Sequence, residues 1–521
     1  MIRSVLKSLL KPDAYPELTT GVELVQTHVS YIFLTDQYAY KIKKPVDFGF
    51  LNFSTIDRRR FYCNEEVRLN RRLCPDMYLG VVELRETGSG AAFIGSGAVL
   101  DYAVKMKRLP ADRMLDKLID FGKINTDTMR SIARTIAEFH RTAVTTPAIA
   151  EFGRLDRILY NWQENFDQMI PFESSTLPTA ERECIESWVT GFCEEHGDLF
   201  QKRVDEGFIR ECDGDIHLEN ICLDEDGTIQ IFDCIEFNDR FRYCDTAADL
   251  AFLLMDLDYH GRHDLTINVI ADYIAASGDS GATGMIDFYK IYRAYVRGKV
   301  ESYRMNDIGI SSEEQIAARN RARQYFRLVR GYIERRKLKK TLFITCGLMG
   351  TGKSTLAEQL AFELGIVHLS SDVIRKQVAG ADADELEKAP FNEGNYSLQS
   401  RHIVYTELLS RADRILAAGG SVVVDACFPL ASERARCAER ARHNGAAFVI
   451  LDLECSRAEI SRRLVDRENR GSSVSDGRLD LLASQEDSFE QPVEGEGTLI
   501  RLNSSVSPVT MMNEIYPGLF V

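Results

Sequence analysis

No stretch of this 521-residue chain approaches the roughly 20 consecutive apolar residues needed to cross a bilayer as a helix. Met1 to Pro12 lacks the long apolar core of a secretory leader. The 12 cysteines show no repeated C-x-x-C spacing, which fits reduced thiols rather than a disulfide framework. Positive charge is also in deficit: 64 Lys and Arg against 79 Asp and Glu leave a formal net charge of −15. That balance argues against broad, nonspecific binding to nucleic acid or an anionic membrane, although it leaves room for a local basic cleft. No internal repeat or low-complexity tract is visible. Together these absences predict a soluble, cytoplasmic protein.

The chain is too long for one usual core, and 45% hydrophobic residues supply material for two or three domains. Helical periodicity dominates from about Asp127 to Leu328, whereas short β-branched runs alternate with helices after Lys340. A boundary is therefore expected near the basic segment Glu334 to Lys340, read as the solvated end of a helix from Glu313 to Arg336 rather than a nucleic-acid patch. This gives a first domain over 1–330, a linker over 331–340 and a second domain over 341–521. The acidic, small-residue stretch Ala379 to Glu387 is expected to be a mobile loop.

Gly347-Leu348-Met349-Gly350-Thr351-Gly352-Lys353-Ser354 fills every fixed position of G-x-x-x-x-G-K-[ST] and directly follows the apolar run Leu342 to Cys346. In such a P-loop, Gly347, Gly350 and Gly352 let backbone N–H groups, with those of Thr351 and Thr355, close around phosphates. Lys353 reaches the transferring group and Ser354 can ligate magnesium. Thr355 to Leu364 reads as the following helix, with Leu356, Leu360 and Leu364 on one face. Downstream, the strand-like Val367 to Leu369 ends in Ser370-Ser371-Asp372, where parallel sheets present residues to the ligand crevice. Asp372 is placed to accept a hydroxyl proton, and Arg375, one turn later, to hold substrate or transferred phosphate. The apolar run Val422 to Val424, ending at Asp425, suits a buried strand that delivers a magnesium-water ligand. Arg463, Arg467 and Arg470 share one face of a helix over Ser456 to Gly471, a candidate phosphate-closing lid. Cys346 and Cys427, without an adjacent His, read as structural. The S-D-x-x-R arrangement resembles polynucleotide-kinase-like and gluconate-kinase-like P-loop enzymes and zeta toxins.

A second phosphate site is legible earlier. In Asp213-Gly214-Asp215-Ile216-His217-Leu218-Glu219-Asn220, Asp215 and Asn220 stand at the spacing of the kinase catalytic loop, where the Asp accepts a hydroxyl proton and the Asn holds metal. Asp224-Glu225-Asp226-Gly227 is turn chemistry between Ile221 to Leu223 and Thr228 to Phe232, so the returning strand brings Asp233 beside Asn220 as a second metal ligand. These residues resemble the aminoglycoside phosphotransferase branch of the protein-kinase-like fold, over roughly residues 20 to 330. The resemblance implies that Lys41, in Tyr38-Ala39-Tyr40-Lys41, contacts the nucleotide phosphates, with Lys43 an alternative. It implies that Glu66 orients that lysine, with Glu65 an alternative, and that Met106 to Leu109 is the linker beside adenine. The family's His at the head of the loop is Asp213 here. His196-Gly197-Asp198-Leu199 imitates the motif, but Arg203 stands where the metal-binding Asn belongs. Asp245 and Asp249 read as structural acids, and the helix through Tyr289 to Tyr303 as a packed face with outward arginines.

The whole order resembles the bacterial family of bifunctional phosphotransferase/ATP-binding proteins. What that implies is an α+β protein-kinase-like bilobal domain followed by an α/β P-loop domain with a mainly parallel five-stranded sheet. It also implies two ATP–Mg²⁺ sites acting on a hydroxyl-bearing acceptor, such as a sugar or nucleoside. Two alternatives remain open: a 5′-hydroxyl nucleic-acid or nucleotide-sugar kinase regulated by the first domain, and a noncatalytic ATP-driven switch.

Overall fold

The computed structural model describes residues 3–88, 90–379, 398–470 and 482–519. The chain divides into two compact units, Met1–Arg323 and Gln324–Val521, with the division inside the continuous helix Ser312–Arg335. The loop expected over Ala379 to Glu387 lies almost wholly outside the described residues.

Unit 1 opens with strands β1 (Glu23–Gln26), β2 (Ser30–Leu34), β3 (Tyr38–Lys43), β4 (Tyr78–Thr87), β5 (Gly90–Ala92) and β6 (Val99–Lys107). They form an antiparallel sheet in the order β1-β2-β3-β6-β4-β5. The helix Ile56–Asn70 starts where the Thr55 hydroxyl accepts from the Arg58 N–H, and buries Cys63, Glu66 and Val67. It ends at Asn70, whose carbonyl accepts the Leu73 N–H in the turn that follows. Beyond Lys107 the unit becomes helical. Its core gathers Trp162, Phe166, Tyr292 and Tyr295, whose rings pack edge-on or stacked. Two short antiparallel pairs interrupt the helices: β7 (Ile209–Glu211) with β10 (Tyr243–Asp245), and β8 (Ile221–Leu223) with β9 (Ile229–Ile231). The Tyr289 to Tyr303 helix departs from expectation, because Arg293 points inward and is only 6% exposed. Its guanidinium donates to the carbonyls of Ala248 and Gly214, which neutral packing could not satisfy.

Unit 2 holds β11 (Thr341–Cys346), β12 (Val367–Ser370), β13 (Val422–Asp425), β14 (Ala447–Glu454) and β15 (Thr498–Asn503). The order is β12-β13-β11-β14-β15 and every neighbouring pair is parallel. β11 is buried throughout: Leu342, Ile344 and Cys346 face the helices Leu398–Ala417 and Ala431–His443, while Phe343 faces Leu356, Leu360 and Met512. A sheet covered on both faces explains the uninterrupted apolar runs. No described helix is long and apolar enough to cross a membrane.

Candidate active sites

In unit 1 the turn chemistry brings the two halves of a metal-type donor set together. Gly227, at φ +85°, lets the chain reverse, and its N–H donates to Asp224 O at 2.9 Å. β8 and β9 then pair Ile221 with Ile231, and the Phe232 N–H donates to Asn220 O at 3.0 Å, which sets Asp233 next to Asn220. Asp233 has φ +66°, a strained conformation for a non-glycine residue, worth about 1–3 kcal/mol. Surrounding bonds hold it: its N–H donates to Tyr78 OH at 3.2 Å, and the next N–H, of Cys234, to Asn70 Oδ1 at 2.9 Å.

Asn220 Nδ2 donates to both the backbone and side-chain oxygens of Asp215 at 3.1 Å, so its carbonyl oxygen is not consumed by that bond. Gly214, at φ +91°, leaves no room for a side chain: a Cβ there would stand 2.8 Å from Phe241 O. Asp249 accepts the N–H groups of Asp213 and Gly214 at 3.0 and 2.8 Å and meets His140 Nε2 at 3.1 Å. The trio His140, Cys212 and Asp249 could be mistaken for a metal centre. Its carboxylate oxygens are engaged by those donors, and the Cys212 thiol points to Cys244 O. Burial would raise the Asp215 carboxyl, but His217, Arg297 and Arg293 outweigh it and hold it below the ordinary value. Asp213, in the place of the family's His, is pushed well above the usual carboxylate range by burial and by Asp249. Its Oδ1 accepts the Asp215 N–H at 3.1 Å.

Both candidate lysines meet Glu66, which is fully buried. Lys41 Nζ lies 2.9 Å from Glu66 Oε1 and 2.5 Å from Asp233 Oδ1. Lys43 Nζ lies 2.6 Å from Glu66 Oε2 and also pairs with Glu236. The difference lies in the second partner: Lys41 reaches the donor set around Asp233, whereas Lys43 is buried against Glu236. Burial would raise the Glu66 carboxyl, yet the two ammonium groups lower it to about 2. Glu65 points outward to Arg68 at 2.8 Å. The imitation motif begins the helix Gly197–Asp205, where Arg203 is buried against Asp245 at 2.6 Å and Asp279 at 2.5 Å.

In unit 2 three strand ends converge. β11 leads into Gly347, β13 ends at Asp425, and Ser370 of β12 pairs with Asp425, two residues before Asp372. Gly347, Gly350 and Gly352 have φ of +137°, +77° and +88°, and a Cβ on Gly347 would meet Leu453 O at 2.6 Å. Lys353 folds back to donate to Leu348 O at 2.6 Å, and the Thr351 hydroxyl donates to the same carbonyl at 2.8 Å. Ser354 and Thr355 begin the helix Lys353–Leu364 and are exposed. Asp425 is buried, accepts from Thr345 Oγ1 at 3.2 Å and lies 3.5 Å from His368 Nε2. Burial would raise this carboxyl, but His368, Ser354 and Lys353 hold it below its ordinary value. Asp372 Oδ1 pairs with Arg375 Nη1 at 2.6 Å. Cys346 is buried, and its thiol is pushed up to about 12 by burial; Cys427 is half-buried beyond the end of β13.

The helix Arg457–Arg470 presents Arg463 to the loop: Arg463 Nη1 would lie 3.4 Å from a Cβ on Gly352. Arg467 stands one turn farther along, and the side chain of Arg470 lies outside the described residues. Several residues at these sites were not singled out by pattern: His217, Glu236, His368 and Gln485. Gln485 Oε1 accepts the Met349 N–H of the P-loop at 2.7 Å. His217 lies inside the quoted motif; Gln485 carries no sequence signal.

An uncharacterized protein of Mycobacterium tuberculosis, Rv2004c, is 30% identical over 445 residues, covering 85% of this chain and 86% of its own length. The chain belongs to that protein's family. The profile described as an AAA domain matches residues 342–492. Among solved structures, a choline/ethanolamine kinase family protein from Mesorhizobium loti matches 69% of this chain and 98% of its own, at 14% identity and a TM-score of 0.38. A gluconokinase from Sinorhizobium meliloti 1021 matches 35% and 93%, at 23% identity and a TM-score of 0.26. The five parallel strands, the glycine-framed loop and the AAA-domain match together make unit 2 a P-loop domain.

Proposed function

We propose that the chain is a two-headed kinase that transfers the γ-phosphoryl group of ATP to hydroxyl groups of small molecules, with one nucleotide site in each unit. The observation that carries this reading is the continuous set in unit 1: Glu66 to Lys41, Lys41 to Asp233, Asp233 beside Asn220, and Asn220 to Asp215. A structural ion cluster would not need a strained Asp233 whose side chain is 45% exposed, nor a catalytic-loop carboxylate held ionised beside it.

The residues fit magnesium in both units. In unit 1 the Asn220 carbonyl oxygen and the Asp233 carboxylate are hard oxygen donors on one side of the loop; in unit 2 the Ser354 hydroxyl and Asp425 supply the same kind. When bound, magnesium neutralises phosphate charge and aligns the phosphates. Lys41, oriented by Glu66, holds the nucleotide phosphates in unit 1. The glycine-framed P-loop and Lys353 hold them in unit 2, with Thr351 and Thr355 completing the cradle and Arg463 or Arg467 at its rim. At each site the acceptor oxygen bonds the γ-phosphorus as the bond to the bridging oxygen breaks and ADP leaves. The hydroxyl proton passes to Asp215 in unit 1 and to Asp372 in unit 2, where Arg375 orients that carboxylate. Such a loose transition state asks for positioning and charge neutralisation more than for a strong base, which suits the low Asp215 value.

ADP release measured against sugars, nucleosides, aminoglycosides and 5′-hydroxyl oligonucleotides tests the reading, with Asp215→Ala and Lys353→Ala as the variants. Each variant should abolish turnover of a different acceptor. If Lys353→Ala removes all turnover and Asp215→Ala removes none, unit 1 is not a kinase.

A further inference from the structure

Asp233 and Phe428 are the two non-glycine residues at positive φ among those described, and of the two only Asp233 carries a carboxylate suited to magnesium. A left-handed turn at a non-glycine residue persists only where its surroundings hold it. Here the holding atoms come from far along the chain. Tyr78, which opens β4, and Asn70, which ends the helix Ile56–Asn70, stand 155 and 164 residues from the N–H groups of Asp233 and Cys234 that they accept. Each is 1% exposed.

Packing explains neither polar group. The Tyr78 ring sits among Ala39, Val67, Val104 and Met106, where phenylalanine would fill the same space without burying a hydroxyl. The Asn70 amide donates from Nδ2 to Glu66 O at 2.8 Å, inside its own helix, and turns Oδ1 across to Cys234 at 2.9 Å. Two buried acceptors thus meet two consecutive backbone N–H groups, which fixes the direction in which the Asp233 side chain leaves the backbone.

The same end of the helix is tied to the catalytic loop. Arg72 donates to the carbonyls of Glu211 and Cys212 at 2.6 and 2.9 Å, just ahead of Asp213 to Asp215. Glu66, one turn before Asn70, pairs with Lys41. The phosphate lysine, the base loop and the metal ligand are therefore referenced to one helix end. Lys41 also grips the Asp233 carboxylate, but an ammonium that holds phosphate is shared with it. The Tyr78 and Asn70 bonds act on the backbone and leave both carboxylate oxygens to a metal ion.

We propose that Tyr78 and Asn70 are positioning residues for magnesium in unit 1: they clamp the Asp233–Cys234 backbone so that the Asp233 carboxylate is held beside Asn220. This rests on the kinase reading of unit 1.

The test uses the full chain carrying Lys353→Ala, so that nucleotide binding reads unit 1. Calorimetry gives the affinity for adenylyl imidodiphosphate, a non-hydrolysable ATP analogue, in EDTA and in Mg²⁺, and the ratio is the gain that metal supplies. Asp233→Ala should abolish the gain. Tyr78→Phe and Asn70→Ala should each cut it by about fivefold, the size of one lost hydrogen bond, with the affinity in EDTA unchanged because Lys41 and Glu66 stay in place. Asn70→Asp keeps an oxygen for the Cys234 N–H and should retain the gain. Should Asn70→Ala fail to fold, Tyr78→Phe, which removes a single oxygen, keeps the test decisive. A gain unchanged in Tyr78→Phe or in Asn70→Ala overturns the clamp, as does a gain lost as fully in Asn70→Asp as in Asn70→Ala. An equal loss of affinity in EDTA and in Mg²⁺ also overturns it, since that marks residues needed only for the fold. Absent nucleotide binding in this background, or a gain that Asp233→Ala leaves intact, defeats the kinase reading of unit 1 and the clamp with it.

Discussion

Asp249 carries no proposed chemistry, yet its replacement should disable unit 1. Its carboxylate is fully buried and is the acceptor for the N–H groups of Asp213 and Gly214, and it also meets His140. In Asp249→Ala both backbone donors lose their partner in a site that water does not reach. A buried polar group left unsatisfied costs roughly 1–3 kcal/mol, so two give about 2–6 kcal/mol. Asp249→Asn keeps one oxygen and turns an NH₂ toward the other donor, so about 1–3 kcal/mol should be lost. The catalytic consequence follows from position: Gly214 cannot shift without moving Asp215, and Arg293, which holds Gly214 O at 2.9 Å, cannot replace a lost acceptor on the N–H side. Urea unfolding followed by the tryptophans, both of which lie in unit 1, reads the stability change, and acceptor turnover in the Lys353→Ala background reads the activity. Turnover should fall in Asp249→Asn at temperatures where the fold persists. An unchanged urea midpoint together with unchanged turnover would refute the claim that Asp249 holds the loop.

Two further predictions concern unit 2. Gly331 lies within the helix Ser312–Arg335, where Gly→Ala ordinarily adds up to about 1 kcal/mol of stability. Here a Cβ would stand 1.8 Å from Glu363 O, a backbone atom of the helix Lys353–Leu364, so Gly331→Ala should lower the melting temperature of unit 2; a rise would show that the two helices separate freely. Asp452 is buried with Oδ2 lacking a hydrogen-bond partner, and burial followed by Glu454 raises its carboxyl from 3.8 to about 6. A raised acid stabilises the fold while protonated and loses that contribution as pH rises through about 6. Asp452→Asn should therefore raise the melting temperature of unit 2 at about pH 8 and give progressively less gain toward pH 4, as differential scanning calorimetry would register. A gain independent of pH would mean that the carboxyl is not titrating in the fold.

Much of both sites could be read along the chain because the chemistry is local there. The P-loop depends on backbone conformations that only glycine adopts cheaply, so Gly347, Gly350 and Gly352 mark it before any strand is placed. The Asp215 to Asn220 spacing and the Asp224 to Gly227 turn predict that Asp233 returns beside Asn220, because a short hairpin leaves the chain nowhere else to go. Arg293 shows where such reasoning fails. Helical spacing set it on an outward face, but the carbonyls of Ala248 and Gly214 come from other segments and create a demand that periodicity does not contain. Gln485 is similar: nothing along the chain links it to Met349, 136 residues away.

The sequence by itself determined the glycine-framed P-loop, the parallel strands around it and the return of Asp233 beside Asn220, since those rest on short spacings and on glycine. The tertiary structure decided which of Lys41 and Lys43 reaches Asp233, why Glu66 rather than Glu65 pairs with them, and that Arg463 approaches Gly352. The physical reason is the same in each case. Neighbouring residues of one type have equal intrinsic preferences, and only burial and the charges supplied by distant segments orient one of them toward the candidate site.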